Sequence, residues 1–338
     1  MELLENIKKI AFEVGADVFG VASMDRFEGF PKQQDPRYIM PKAKSMIVVG
    51  CRTMRGSFRG TEEGTFITHY PFARGYVKTD IVPQVLRAVA RIIENHGKEA
   101  MPINDHFPWA AIQDTGAFKE EHAVPVQEGL PYPDVRISMT HAAFLAGLGE
   151  IGYSGHILHP KYGPRLSFGC ILTEMELPAS PIIAPGTVCN RCMKCADDCP
   201  GGCISKTETE TITLGGYTFE IGKYDIEKCT VASTGSEFTE DGSYKPSKYS
   251  PFCGKPPMSH FGLPIRNSIC AGRGCIRACM MELEDRKAIG NLFDAPFRRH
   301  PAWEVDWEGY RSGRLVNDTY PPNAAKPEKA TNIIDIDE

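Results

Sequence analysis

Cys189-Asn190-Arg191-Cys192-Met193-Lys194-Cys195-Ala196-Asp197-Asp198-Cys199-Pro200 is the stretch that decides how this chain is read. Three cysteines two residues apart can wrap their thiolates around one iron–sulfur cubane. The fourth, set off by a longer spacer and followed by proline, reaches a second. The run therefore points to two [4Fe–4S] clusters and to electrons moved one at a time. A second set of cysteines must complete the pair.

Working outward, Cys270-x4-Cys275-x3-Cys279 supplies three of them, and the isolated Cys229 upstream supplies the fourth. We assign Cys189, Cys192, Cys195 and Cys279 to the first cluster and Cys199, Cys229, Cys270 and Cys275 to the second. Cys51, Cys170, Cys203 and Cys253 are left over, and a small buried apolar side chain is their default role. Cys203 and Cys253 lie close enough to the frame to compete for the second cluster. Structural zinc is the competing chemistry, but zinc sites use two separated cysteine pairs, whereas this run is one compact block. The spacing typical of S-adenosylmethionine radical enzymes is absent.

Eleven of the twelve cysteines fall between Cys170 and Cys279 inclusive, a clustering that metal ligation explains better than disulfides. The N-terminus has acidic residues ahead of its lysines and no apolar core segment, so it does not read as a secretory signal. The only Arg-Arg pair, Arg298-Arg299, is far from the start. The expected location is cytoplasmic. No apolar run approaches the ~18 residues of a membrane span. Net charge is −5, without the basic footprint that phosphate contacts leave, so nucleic acid is not the expected partner.

Elsewhere, Leu3, Leu4, Ile7, Ile10, Ala11 and Val14 form a helical stripe closed by Gly15. Strands are expected at Val18 to Ala22 and Ser45 to Cys51, the latter a continuous apolar run suited to a sheet covered on both faces. Val82, Val85, Leu86, Val89, Ile92 and Ile93 mark a second helix stopped at Gly97. Between them, Arg55 to Val77 has no clear period and reads as a long loop. Residues 137–146 resume helical character with Ser138 as N-cap. Leu166 to Leu177 reads as a strand, and Ile212 to Ile221 as a hairpin around Gly215-Gly216. The proline-rich stretch from Pro178 to Pro185 marks the expected boundary: a first domain at 1–180, a second at 181–300 and a tail at 301–338.

Three stretches carry a resemblance to the corrinoid-dependent iron–sulfur reductases, the superfamily of reductive dehalogenases and epoxyqueuosine reductase. They are Asp35 to Val49; Ala146-Gly-Leu-Gly-Glu-Ile-Gly152 continuing to His159-Pro-Lys-Tyr-Gly-Pro-Arg165; and the cysteine run with isolated Cys229. The resemblance implies an α+β chain, with a nitroreductase-like α/β domain for a cobamide (cobalamin) followed by a bacterial ferredoxin-like domain with the two [4Fe–4S] clusters. It implies that the clusters feed the corrinoid, whose chemistry the protein positions, with an external donor such as a ferredoxin or flavodoxin.

In that setting Gly147, Gly149, Gly152 and Gly155 would let backbone N–H groups approach the cofactor, with His156 beside them. The other reading of these glycines is a tight turn after a helix. Asp134 lies near the place where epoxyqueuosine reductase carries its acidic proton donor. Tyr153 and Arg165 are possible counterparts of the tyrosine and basic residue used by the dehalogenases. His141, His156 and His159 sit close together in sequence, but their spacing is not a metal signature.

Two departures fall at the second cluster: Cys270-x4-Cys275 is wider than the pair common in epoxyqueuosine reductase, and Met280 stands where a proline usually follows the last cysteine. The leading expectation is a reductase that cleaves a carbon–halogen or carbon–oxygen bond of a small organic substrate. Epoxyqueuosine reductase acting on tRNA is the first alternative, although about 60 residues after Cys279 leave little room for a tRNA-binding repeat region. An electron carrier or corrinoid-binding module without catalysis is the second.

Overall fold

The apolar stripe of the first residues becomes helix α1, Glu2–Val14, with Ile7 and Ala11 fully buried. Gly15 ends it at φ +124°, a conformation that favours glycine. Strand β1, Val18–Ser23, follows and pairs antiparallel with β2, Ser45–Arg52. The computed structural model describes residues 2–61, 69–104, 125–133, 135–226, 228, 229, 232, 236–238, 244–246, 270 and 274–298. All of them fall within one compact unit, Met1–Ala302.

The stretch 55–77, expected as a loop, instead contains a 3₁₀ turn at Arg55–Thr61 and helix α2 at His69–Tyr76. A single π turn, Val77–Ile81, joins α2 to helix α3, Val82–Asn95. Two turns of helix rich in Gly and aromatics give too short a window for a readable stripe, and α2 persists as an extension of α3. Strand β3, Ala100–Asn104, was not read from the sequence because Pro102 sits inside it. It is a sheet edge, where a missing N–H is tolerated.

Helix α4, Met139–Leu145, starts as expected at Ser138, whose Oγ accepts from the His141 N–H. After it come the short strands β4, Glu150–Ile151, and β5, Ile157–Leu158, which pair with each other, and then β6, Leu166–Thr173. The main sheet runs β1-β2-β6-β3 and is antiparallel throughout. A continuous apolar run reports cover on both faces, not strand direction. β2 shows this: Ile47 and Val49 point to α1 and α3, Met46 and Val48 to the opposite core.

That opposite face is covered by α4 and by a hairpin, β7 (Ile204–Leu214) and β8 (Tyr217–Tyr224), which turns at Gly215 and Gly216, both at positive φ. Phe144 of α4 meets Phe219 edge-on, with ring centroids 4.7 Å apart. Leu214, Phe219 and Ile221 join the core beneath the sheet. The cysteine-bearing half is thereby fastened to the sheet half by apolar burial. The remaining helices are α5, Lys194–Asp197, and α6, Cys275–Asp285. Short strands β9, Ser236–Phe238, and β10, Tyr244–Pro246, pair with each other. Among the described residues no helix is long and apolar enough to cross a membrane.

Candidate metal centre and adjoining pocket

The loop that leads into the cysteine run is held by a residue the sequence did not single out. Glu150 is 1% exposed, and its carboxylate accepts from the backbone N–H groups of Gly186, Val188 and Cys189. Three N–H donors on one buried carboxylate fix where the chain turns inward. The available signal was an acidic residue among glycines and aliphatics in Gly147-Leu-Gly-Glu-Ile-Gly152. Past Cys189, Arg191 (φ 57°) and Met193 (φ 65°) adopt left-handed backbone, which curls the run back on itself before α5. Such conformations are costly for residues with a Cβ and are found where surroundings impose them.

Two groups of thiols result. Cys279 lies within electrostatic reach of Cys189, Cys192 and Cys195, and packs with Cys189 against Leu158, Val188, Leu283 and Ile289. Cys275 faces Cys270, Cys199 and Cys229. Helix α6 makes this division: Cys275 opens it and Cys279 follows four residues later, so one helical face serves both groups. The two groups adjoin, since Cys275 also reaches Cys195 and Cys279.

The first group is otherwise apolar, with the Tyr153 N–H donating to Cys189 Sγ at 3.4 Å. Burial pushes the Cys195 thiol up to about 12. The second group contains polar side chains and a fifth thiol. Tyr224 hydrogen-bonds Cys229, and His156 Nε2 lies 3.4 Å from Cys275 Sγ. Cys203, buried at the start of β7, touches both Cys199 and Cys229 and donates its N–H to Cys199 Sγ at 3.3 Å. That contact draws the Cys199 thiol down to about 5.

Cys51 and Cys170 behave as ordinary buried residues on the two faces of the sheet, and burial raises both thiols to about 12. Cys253 and Asp134 lie outside the described residues. Among the described residues no group of three or more His, Cys, Asp or Glu closes on a single metal ion.

The three histidines occupy separate places. His141 packs edge-on against Phe30. His159 Nδ1 accepts from the Lys161 N–H at 2.9 Å and its ring stacks on Tyr162. His156 alone reaches the thiols, and it also lines a pocket of about 80 Å³ shared with Arg74, Lys78, Ser167, Phe168 and Ile276. Burial, aided by Arg74, lowers His156 to about 4, so its ring is neutral near pH 7. The pocket therefore has a cationic rim and a wall one residue from Cys275.

Tyr153 and Arg165 do not line this pocket. The Tyr153 hydroxyl donates to the Ser205 carbonyl at 2.9 Å, tying β8's neighbour strand to the first cysteine group. Arg165 is 2% exposed and donates to Thr53 O and Asn291 Oδ1, and burial lowers it to about 10. The glycines are explained by close packing. A Cβ on Gly147 would stand 2.2 Å from Pro181 O, and one on Gly149 2.6 Å from Leu158 O. Gly152 is equally tight against the Leu158 side chain, whereas Gly155, next to His156, has room.

No family model matches the chain. It is 26% identical over 214 residues to an epoxyqueuosine reductase of Synechococcus sp. strain CC9605, covering 61% of this chain and 55% of that protein. To the epoxyqueuosine reductase of Prochlorococcus marinus strain NATL2A it is 23% identical over 230 residues, 61% of this chain and 64% of the relative. A tetrachloroethene reductive dehalogenase of Desulfitobacterium hafniense shares 42% over 65 residues, 19% of this chain and 12% of that one. These relatives, named epoxyqueuosine reductase and reductive dehalogenase, support the resemblance to the corrinoid-dependent iron–sulfur reductase superfamily. Within it, the longer matches are to epoxyqueuosine reductases, of whose lengths this chain spans little more than half to about two thirds. Among solved structures, a catabolic reductive dehalogenase aligns at TM-score 0.46 with 22% identity, over 67% of this chain and 28% of that one. An epoxyqueuosine reductase solved with a tRNA stem loop aligns at 0.45 with 16% identity, over 71% and 60%.

Proposed function

We propose that the chain is an iron–sulfur reductase whose substrate class is that of its longer relatives: an epoxyqueuosine reductase type of enzyme, reducing a carbon–oxygen bond carried on tRNA. A small-molecule substrate led from the sequence alone, with nucleic acid not expected. The matches spanning 61% of the chain carry the epoxyqueuosine name, and that reverses the order. The observation that carries the reading is the contact between His156 and Cys275, because it sets a ligand pocket with cationic Arg74 and Lys78 directly against one thiol group. A substrate seated there is within one residue of the electron supply.

The thiols fit two clusters: four sulfurs in the group of Cys279 and at least four in the group of Cys275. The cobamide fits less completely, since the pocket formed by the described residues holds part of such a ligand and not a whole corrin. When bound, a cobamide supplies a low-valent cobalt reductant and nucleophile. The chain's own contribution is to orient and to exclude water. His156, with Gly155 beside it, would contact the cofactor edge, while Phe168 and Ile276 form an apolar wall. Asp134 is the proposed acid. The proposed part of Tyr153 and Arg165 is to hold the thiol group and the pocket's surround in place. The proposed layout is a nitroreductase-like domain at 1–180 and a ferredoxin-like domain at 181–300.

A second reading, reductive dehalogenation of a small substrate, is favoured by the 42% identical segment and by the modest size of the pocket. Anaerobic purification with iron, zinc and cobalt counted per chain, and a visible spectrum with and without cobalamin, tests the shared core. About eight irons and a corrinoid spectrum are expected; zinc in place of iron would overturn it. tRNA binding that weakens with rising salt is expected from phosphate contacts. Absence of binding at low salt, with turnover of a halogenated phenol, would put the second reading first.

A further inference from the structure

Each iron of a cubane takes one thiolate from the protein, so a [4Fe–4S] cluster has four places for cysteine. Among the described residues the second group offers five sulfurs: Cys199, Cys203, Cys229, Cys270 and Cys275. Three are anchored by independent contacts. Cys275 is fixed as the first residue of α6. Cys199 accepts the Cys203 N–H, and Cys229 accepts the Tyr224 hydroxyl. The other two come from separate stretches of chain. Cys203 enters at the start of β7, in contact with Cys199 and Cys229. Cys270 enters beside Gly274, where an added Cβ would lie 3.3 Å from its Sγ and 3.0 Å from Pro200.

A buried apolar cysteine looks different in this molecule. Cys51 and Cys170 sit among sheet aliphatics in the two main cores. Cys203 instead places its sulfur on two other thiols. Its spacing, Cys199-x3-Cys203, sets both on the turn between α5 and β7, with Gly201 and Gly202 between them. Gly201 has no room for a Cβ, which would stand 2.7 Å from Cys203 Sγ. The absent Cβ leaves the space that the Cys203 sulfur occupies beside the group.

Resting on the two-cluster reading above, we propose that Cys203 is a reserve ligand of the second cluster, interchangeable with Cys270. Cys203 gives up its thiol proton and bonds to the iron that Cys270 leaves. Cys270, its bond to iron broken, takes up that proton, and no electron moves. The thiol left out at any moment keeps its S–H and donates it to a bound neighbour. The wide Cys270-x4-Cys275 spacing, a departure from the tighter pair of the relatives, is then tolerable, because the chain does not depend on Cys270 alone.

The test uses the full chain, purified without oxygen, as wild type, Cys203→Ala, Cys270→Ala and the double variant. Iron per chain and the electron paramagnetic resonance signals of the reduced clusters are read together with far-UV circular dichroism. Wild type and both single variants should hold about eight irons; the double variant should fall to about four and keep only the first cluster's signal. Loss of the second signal in either single variant overturns interchange, as does its retention in the double variant. If the double variant unfolds, Cys270→Ala with and without Cys253→Ala decides: a second cluster kept in both is completed by Cys203, and one lost once Cys253 is also removed overturns the proposal. A wild type with far fewer than eight irons refutes the two-cluster reading itself and this proposal with it.

Discussion

The two thiol groups share helix α6 and are only one turn apart along it, yet their surroundings differ in kind. The group around Cys279 is walled by Leu158, Val188, Leu283 and Ile289 and receives a backbone N–H from Tyr153. The group around Cys275 meets the Tyr224 hydroxyl, the His156 ring and a fifth thiol, and it borders the pocket. Hydrogen bonds to cluster sulfur and exposure to polar groups raise reduction potential. With clusters in both places, the second would be the easier to reduce, and electrons entering at the first would run downhill toward the pocket. The difference between the groups sets a direction.

The largest expected effect breaks the first group. Glu150→Gln keeps the shape of the side chain but removes the charge that satisfies three buried N–H groups and puts an amide donor among them. A loss of about 3 kcal/mol in stability is expected from charge-assisted bonds of this kind. Chemical denaturation measures it. Iron counting should show the first cluster lost ahead of the second; equal loss of both would mean Glu150 supports the whole chain and not that group.

Next in size is the potential difference itself. Tyr224→Phe removes the hydroxyl that donates to Cys229, and His156→Phe removes the ring nitrogen facing Cys275. A net hydrogen bond of about 1 kcal/mol corresponds to on the order of 40 mV for one electron. Each variant should lower the second cluster's potential by roughly that amount in a redox titration and leave the first unmoved. A shift of the first cluster, or of neither, would remove the proposed direction of flow.

Much of this contrast was legible in the sequence, but unevenly. The helices at 2–14 and 82–95, the strands at 18–23 and 45–52 and the hairpin closed by Gly215-Gly216 follow from apolar period and turn chemistry. Spacing also marked which cysteines lie near one another, since both Cys279 and Cys275 meet members of the run. The donors to those thiolates did not follow from spacing. His156 and Tyr224 come from different hairpins, and Glu150 reaches a loop more than thirty residues away, so each acts through tertiary contact that no local pattern encodes. The glycines of Gly147-Leu-Gly-Glu-Ile-Gly152 show the converse. Their pattern was plain, while its cause, close approach to Pro181 and Leu158, needed the fold.

The smallest expected effect is that of acid on the two groups. His159 Nδ1 accepts the Lys161 N–H, a bond that a protonated ring cannot make. Burial, with Lys161 adding repulsion, lowers His159 to about 4 from its ordinary 6.5. The unfolded chain therefore binds the extra proton first as acid is added. The stabilisation is complete above pH 6.5 and drains away as pH falls toward 4. The turn this histidine holds, His159 to Gly163, packs through Gly163 toward Leu283 and Ile289, the wall of the first group. Mild acid between pH 6.5 and 5 should accordingly loosen the first cluster through His159 and the second through His156, which burial also lowers to about 4, seen as bleaching of the visible absorption. His159→Gln, which cannot take up the proton, should flatten the first cluster's pH dependence while leaving the second cluster's behaviour as it was.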